Sequence, residues 1–364
     1  MTDSLTIAVQ PIASARETGV LWSQSATGSQ RSFFTSWMWL GTWLELLPSS
    51  ASVQLLTMTK ASKRGLALLV ARESRRHRLL NVRQLHFNST GDPELDSVFI
   101  EHNGFAGLEA DAGVWRALEQ WFLDGHANAD ELVIPGVESS EPFAFTAALQ
   151  QRRDVPAFRV ALKSIRSQGS VEGGLSRNSR QQLRRAMRAY GPLGALTLDV
   201  ASTPDQALGY FDALKALHVR SWARRGKDHA FRHAFFETFH RLLIARGVAG
   251  GSVRLIRVSA GDSPIGYLYQ FRYGGTEYAY QSGFDDSDPE LRPGYVCHAL
   301  AIEAAAAAGL HTYDFLAGAN RLKQSFANEN YVMSWTTLAQ PTMSLRTAAA
   351  LGRTARAIKS RFQG

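Results

Sequence analysis

The sequence predicts an α/β (α+β) fold of two similar units in tandem, each a mixed, largely antiparallel sheet flanked by helices. Three observations carry this reading. Apolar residues at helical spacing alternate with short strand-like runs bounded by turn residues. Three such runs, 252–259, 263–273 and 277–284, follow one another across Gly-containing turns, as in a meander. Both halves of the chain place helices before a meander and a helix after it, which a duplicated unit explains. The 364 residues suffice for two domains with cores of their own.

Residues 33–47 read as a first helix, with Phe33, Phe34, Trp37, Leu40, Trp43, Leu44 and Leu47 on its apolar positions. Stretches 53–59 and 65–71 read as strands joined by the polar turn 60–64. A helix over 113–125 places Val114, Leu118, Trp121 and Phe122 on one face. A short strand over 131–134 ends at Pro135-Gly136, and a helix is expected over 141–151. The Ser-, Gly- and Arg-rich stretch 164–178 reads as a linker or mobile loop.

Beyond it, 178–190 is an Arg-rich helix stopped by Gly191-Pro192, and 196–200 is a strand. Helices follow over 204–222, started by Ser202 or Thr203, and over 232–246. After the meander and a turn at 285–293 comes an Ala-rich helix over 294–308, closed by Gly309, then strands at 312–316 and 332–338. The expected boundaries are 1–163 for the first unit, 164–178 for the linker, 179–340 for the second unit and 341–364 for a terminal helix. In that last segment Leu345, Ala348, Leu351, Ala355, Ile358 and Phe362 recur at helical spacing among Arg346, Arg353, Arg356, Lys359 and Arg361. Such a basic amphipathic helix packs on its own protein or lies on an anionic membrane.

Apolar residues make up 45 % of the chain and charged residues 20 %, a globular balance that excludes wholesale disorder. Forty basic against 32 acidic residues give a formal charge of +8, and 33 of the basic residues are arginines. That skew reads either as a coding bias or as preparation for an anionic partner. The single cysteine, Cys297, excludes an internal disulfide and reads as a small core residue. Met1-Thr2-Asp3-Ser4 has no basic stretch followed by apolar residues, and no run of about 18 apolar residues occurs. A cytoplasmic protein is expected, peripheral to the inner face of the membrane if the terminal helix binds lipid.

Several chemistries find no support. There is no phosphate-binding G-x-x-x-x-G-K-[ST] and no G-x-G-x-x-G between a strand and a helix. Tyr280-Gln281-Ser282-Gly283-Phe284 lacks the first glycine of a nucleophile elbow. His229 and His233 are four apart with His240 one heptad on, but Ala230 stands where a zinc hydrolase has Glu, so no metal is expected. Arg177, Arg180, Arg184 and Arg188 align along one helix face, with Arg185 beside them. Such a row holds phosphates in bidentate pairs, or simply forms a solvated face.

From Leu196 to Phe326 the sequence resembles the GNAT-related acetyltransferases of the CelD/BcsL, or Fem-like, group. Leu175-Ser176-Arg177 with Leu183-Arg184-Arg185 is similar to the group's basic helix. Leu217-His218-x-Arg220-x-Trp222, with Gly226 and Phe231, is similar to its helix-end motif. Gly261-x-x-x-Ile265-Gly266 with Phe271, then Tyr278-x-Tyr280-x-x-Gly283-Phe284-Asp285, resembles its central hairpin. Pro293-Gly294 with Ile302 and Gly309 resembles its cofactor-side helix, and Tyr313-Asp314-Phe315-Leu316-x-Gly318 with Lys323 and Phe326 its terminal signature. In the N-terminal half the match is looser, chiefly through 33–43 and 96–103.

The resemblance implies tandem GNAT-like units, an acyl thioester lying between two splayed strands, and coenzyme A pyrophosphate on the N-terminus of the following helix, where the dipole favours anions. It assigns cofactor contacts to Arg292, Gly294 and Tyr295. Of the family's R/Q-x-x-G-x-G/A loop only Gly294 is present, with Leu291 and Val296 at the other positions. The implied reaction is direct transfer of an acyl group from acetyl-CoA, or another acyl-CoA, to an amine. Tyr280 is the candidate acid, with a sheet aromatic packed in the core as its alternative. Asp314 is a candidate to orient or deprotonate the amine, or else a cap or a partner of Lys323, and His218 is a candidate base or a core histidine. Arg220, Trp222, Lys323 and Arg184 are the candidate substrate-binding residues. The expected acceptor is an amino sugar or peptide amine in cell-envelope or exopolysaccharide metabolism. One alternative is a Fem-like aminoacyl transferase that uses aminoacyl-tRNA. Another is a non-catalytic accessory protein that binds a polyanion or a polysaccharide synthase complex.

Overall fold

The computed structural model describes residues 5–25, 32–76, 80–98, 100–139, 145–345 and 347. The chain divides into two compact units, Met1–Asp154 with Met333–Gly364, and Val155–Val332.

In the first unit, β1 (Leu5–Pro11) leads into α1 (Ala15–Ser25) and α2 (Trp37–Leu46), then β2 (Val53–Lys60), β3 (Lys63–Arg76) and β4 (Leu80–Phe87). α3 (Ala112–Leu123) and β5 (Glu131–Ser139) follow. Neighbours β1 to β4 pair antiparallel, and β4 pairs with β5 in parallel at Gln84↔Glu131, Leu85↔Leu132 and His86↔Val133. Val114, Leu118 and Phe122 of α3 are buried against Leu56, Leu69, Leu85 and Phe87 of the sheet, which is why an amphipathic helix forms there.

The second unit takes β6 (Gln150–Ala161) from Val155 onward, α4 (Lys163–Gln168), α5 (Arg177–Ala189), β7 (Leu196–Val200), α6 (Pro204–Arg224) and α7 (Ala234–Gly247). It continues with β8 (Val253–Ala260), β9 (Ser263–Tyr273), β10 (Thr276–Phe284), α8 (Pro293–Ala307), β11 (Thr312–Ala317), α9 (Arg321–Phe326) and the start of β12 (Glu329–Ala339). Strand order is β6-β11-β10-β9-β8-β7, antiparallel except for β10 with β11. Rings of α6 and α7 (Phe211, Phe236, His240) gather round Tyr269 and Tyr280 of the sheet. Leu183 and Ala186 of α5 share a second core with Val296, Cys297 and Ile302 of α8. The order β-α-α-β-β-β-α-β occurs twice, from β1 to β5 and from β7 to β11, so the duplication expected from the sequence is present. From Met333 on, β12 belongs to the first unit, where it neighbours β5.

Some expectations fail. Of the helix expected over 141–151, residues 145–149 are irregular and Gln150 opens a strand; 141–144 lie outside the described residues. The stretch 164–178, expected as a linker or mobile loop, holds α4, a 3-10 turn over Val171–Gly174 and the start of α5. It docks on α8: Ile165, Val171 and Leu175 are buried, and the Val171 N–H donates to Glu303 Oε1 at 3.0 Å. β5 runs on through Pro135 and Gly136. Beyond Leu345 the terminal helix lies outside the described residues, apart from residue 347.

Candidate active site

β10 carries the site. Its register against β9 slips at Tyr280, with Ala279 opposite Gln270 and Gln281 opposite Tyr269, so Tyr280 is the extra residue of a β-bulge. Its parallel ladder with β11 ends at Tyr278↔Asp314, although β10 runs on to Phe284 and β11 to Ala317. The two strands therefore part at the bulge. The slip also breaks the alternation expected for Tyr278, Tyr280 and Ser282: Ser282 stands opposite Leu268, a residue of the core shared with α8.

α8 begins beside this opening. Its N-cap is Arg292, in the left-handed region at φ 49°, and no side chain caps the helix; Pro293 occupies its first turn. A cavity of about 200 Å³ lies there, lined by Gln182, Arg185, Ala186, Glu290 and Arg292. Arg292 Nη1 donates to Gln182 Oε1 at 2.6 Å, and Arg185 Nη2 pairs with Glu290 at 3.2 Å. An uncapped helix start flanked by two guanidinium groups suits a phosphate. A Cβ at Gly294 would sit tightly, 3.0 Å from Leu322 Cδ1 and 3.2 Å from Phe284 Cε2, so those side chains would have to shift by a few tenths of an ångström. Tyr295 turns away, its hydroxyl 2.6 Å from Ser325 Oγ on α9.

On α6, His218 Nδ1–H donates to the carbonyl of Ser282 at 3.0 Å, which fixes the tautomer and leaves Nε2 as the basic nitrogen. Its ring stacks on Trp222 at 5.3 Å and meets His229 edge-on at 6.2 Å. Burial, with smaller effects of His229 and Arg225, lowers its pKa below the usual imidazole value; the Ser282 carbonyl opposes this. The imidazole is therefore neutral near pH 7. Around it, Arg220 pairs with Asp285 at 3.0 Å, Ser221 Oγ donates to Asp286 Oδ2 at 2.8 Å, and Arg224 pairs with Asp286.

The other candidates are held by the fold. The Tyr280 hydroxyl is 3.2 Å from Nε2 of His240, a fully buried imidazole that also meets the Tyr269 hydroxyl, so it faces the α7 side of the sheet. Asp314 is buried and its Oδ1 accepts from the Leu316 N–H and the Tyr331 hydroxyl, both at 2.7 Å. It thereby supports Leu316, which sits at φ 62°. Lys323 Nζ donates to the Ala317 carbonyl at 2.7 Å and to that of Leu316 at 3.3 Å, closing the end of β11. Arg184 pairs with Glu172 at 2.6 Å. Arg185, its neighbour, lines the cavity instead; helical phase separates the two, and the row of arginines did not single it out. The pairing of α6 with Asp285 and Asp286 likewise had no signal beyond the charges themselves.

Residues 177–324 match the family model described as the acetyltransferase (GNAT) domain. That stretch includes α5, the meander, the bulge, α8 and β11. On that match the protein is an acyltransferase. The fold is similar to that of FemX, with a TM-score of 0.56 at 10 % identity over 90 % of this chain and 96 % of that one. It is also similar to the C-terminal DUF2156 domain of an Agrobacterium fabrum protein described as a lysylphosphatidylglycerol synthetase (TM-score 0.53, 11 % identity, 94 % and 96 % covered). A conserved protein of unknown function from Bacteroides thetaiotaomicron gives a TM-score of 0.51 at 10 % identity, over 92 % and 100 %. At such identities these likenesses bear on the fold alone. No curated protein gives a significant match. Among the described residues no helix is long and apolar enough to cross a membrane, and no group of His, Cys, Asp or Glu is placed to hold a metal ion.

Proposed function

We propose that the second unit transfers an acyl group, acetyl in the simplest case, from acyl-CoA to the amine of an amino sugar or peptide. The observation that carries this is the cavity at the uncapped start of α8, between Arg185 and Arg292. These residues fit a pyrophosphate although Leu291 and Val296 depart from the family loop, because two guanidinium groups supply the charge. When bound there, acyl-CoA supplies the activated carbonyl. His218 Nε2 takes the proton from the attacking amine nitrogen, and N–H groups of β10 beyond the bulge steady the carbonyl oxygen as it gains charge. The leaving sulfur takes its proton from water. Trp222 positions His218 by stacking, and Arg220 with Asp285 borders the acceptor's approach.

Acyl-CoA is favoured over aminoacyl-tRNA because two of the four arginines of the row, Arg180 and Arg184, are engaged within the chain. Arg180 donates to the carbonyls of Glu172 and Leu175, and Arg184 pairs with Glu172. The series of motifs from Leu196 to Phe326 supports a CelD/BcsL-like reading, with an envelope or exopolysaccharide acceptor.

The test is the melting temperature with and without acetyl-CoA, for the wild type and for Arg292→Gly. A ligand-dependent rise that is lost or much reduced in the variant is expected. No rise for the wild type at millimolar acetyl-CoA would overturn the donor assignment. Arg292→Gly is preferred to a substitution of Gly294, which would disturb packing against Phe284 and Leu322 whatever binds.

A further inference from the structure

The duplication gives the first unit a counterpart of the opening between β10 and β11. There the parallel ladder of β4 and β5 ends at His86↔Val133, as the other ends at Tyr278↔Asp314. A cavity of about 250 Å³ lies at this point, with Trp39 and Trp43 of α2, Trp335 of β12 and His86 of β4 in its wall. It is smaller than the roughly 300–1,000 Å³ of sites for drug-sized ligands, so it suits a single ring.

Its chemistry differs from that of the second unit. No phosphate cradle stands at the following helix: Asp111 caps α3, its Oδ1 accepting from the Val114 N–H at 2.9 Å. Asp96, also in the cavity wall, accepts the Thr90 and Gly91 N–H groups at 2.8 and 2.6 Å. An anion is therefore disfavoured. The His86 imidazole carries no charge of its own to the cavity, because burial first, and the Arg72 guanidinium second, hold its pKa down at about 4. The ring is neutral at working pH.

His86 is the telling residue. It is 5 % exposed, and its Nε2 has no hydrogen-bond partner among the described residues. A buried polar atom left unmade costs about 1–3 kcal/mol, so its retention calls for a partner. The surrounding loop is built to keep the ring in place. Gly91, at φ 73°, is the residue whose Cβ would run into the imidazole. Asn88, by contrast, is spent on the scaffold, bonding the Leu68 N–H, Asn103 Oδ1 and the Gly104 carbonyl. Trp335 is fixed from outside by the Arg153 guanidinium, 4.6 Å from its ring centroid. The wall thus holds a partly exposed indole, Trp335, two buried ones, Trp39 and Trp43, and one imidazole with a free hydrogen-bonding nitrogen.

We infer that this cavity binds an uncharged pyranose ring, whose apolar face lies on indole and one of whose hydroxyls bonds His86. This does not rest on the acyl-CoA reading of the second unit.

The test is titration calorimetry without acetyl-CoA, using methyl β-glucopyranoside, N-acetylglucosamine and, as a cationic comparison, choline. Three of the chain's eight tryptophans line the cavity, so intrinsic fluorescence gives a second readout. Saturable binding of at least one sugar in the millimolar range is expected. It should weaken at least about tenfold in His86→Phe and in Trp335→Leu. His86→Phe should melt no lower than wild type, since an apolar ring replaces an unsatisfied polar one. Should it fail to fold, Trp335→Leu alone decides. No saturation by either sugar, unchanged affinity in the folded variants, or tighter binding of choline would overturn the inference.

Discussion

Asp111 and Arg292 hold the same position in the two units, the N-cap of the helix between meander and parallel strand, with opposite charge. The Asp111 carboxylate takes the Val114 N–H and pairs with Lys60 at 2.7 Å, so the dipole of α3 is answered within the chain. Arg292 offers no side-chain cap, and the first N–H groups of α8 stay available to an external anion. On the proposed reading, one duplicated framework carries one phosphate site.

A stoichiometry follows. Calorimetry should give one acyl-CoA per chain, and two sites of similar affinity would contradict the role of Asp111. Arg292→Gly should weaken acyl-CoA about 10- to 100-fold, the loss of a hydrogen bond to a charged group. It should not lower the melting temperature, because glycine adopts the φ of 49° without strain.

His218 should set the acid limb of the rate profile. The base works when neutral, and its pKa is lowered by burial, so kcat/KM should rise with pH through a value below 6.5 and stay level through neutrality. His218→Gln should lower kcat about 10²- to 10⁴-fold with little change in the KM for acyl-CoA. A rate still climbing well above neutral pH would remove His218 from this role.

Glu277, 1 % exposed on β10, sits 3.0 Å from Arg254 and 2.6 Å from Arg272, just before the last rung shared with β11. Burial pushes its carboxyl above the ordinary range, against the pull of both guanidinium groups. Glu277→Gln should cost about 3 kcal/mol by urea unfolding, because it strands two partly buried cations. A cost under about 1 kcal/mol, the range of surface pairs, would show that the network is solvated.

Acid should destabilise the protein through its buried histidines. Burial, aided by the Lys323 charge, holds His298 at about 3, and the Tyr313 hydroxyl donates to its Nδ1 at 2.8 Å. The unfolded chain, with a value near 6.5, binds that proton first. Stability is therefore whole above about 6.5 and declines as pH falls toward the folded value. A melting temperature flat from neutrality into that window would refute this.

Much of the second unit is legible in the sequence because its rules agree. β7 to β11 are short alternating runs with glycine turns, α6 and α8 begin at Pro204 and Pro293, and Thr203 caps α6. β6 was hidden by Arg152, Arg153, Asp154 and Pro156, which read as polar and turn-like yet form a largely exposed strand end. At the site the residue types were readable and the partners were not. Asp314 and Lys323 look like an acid and a cation free for chemistry, but both are tied to backbone near the end of β11. The bulge at Tyr280 leaves no mark in composition, and one added residue redirects everything after it.

The strand exchange bears on synthesis. The first unit needs β12 from Met333 on, which leaves the ribosome only after the whole of the second unit, whereas β6 is made before the rest of the second unit. A nascent N-terminal half must wait with the flank of β5 uncovered, exposed to foreign strands, until the last stretch of chain arrives. Severing the gene at its midpoint would give two fragments, neither able to complete its own sheet, yet together holding every strand required for mutual rescue.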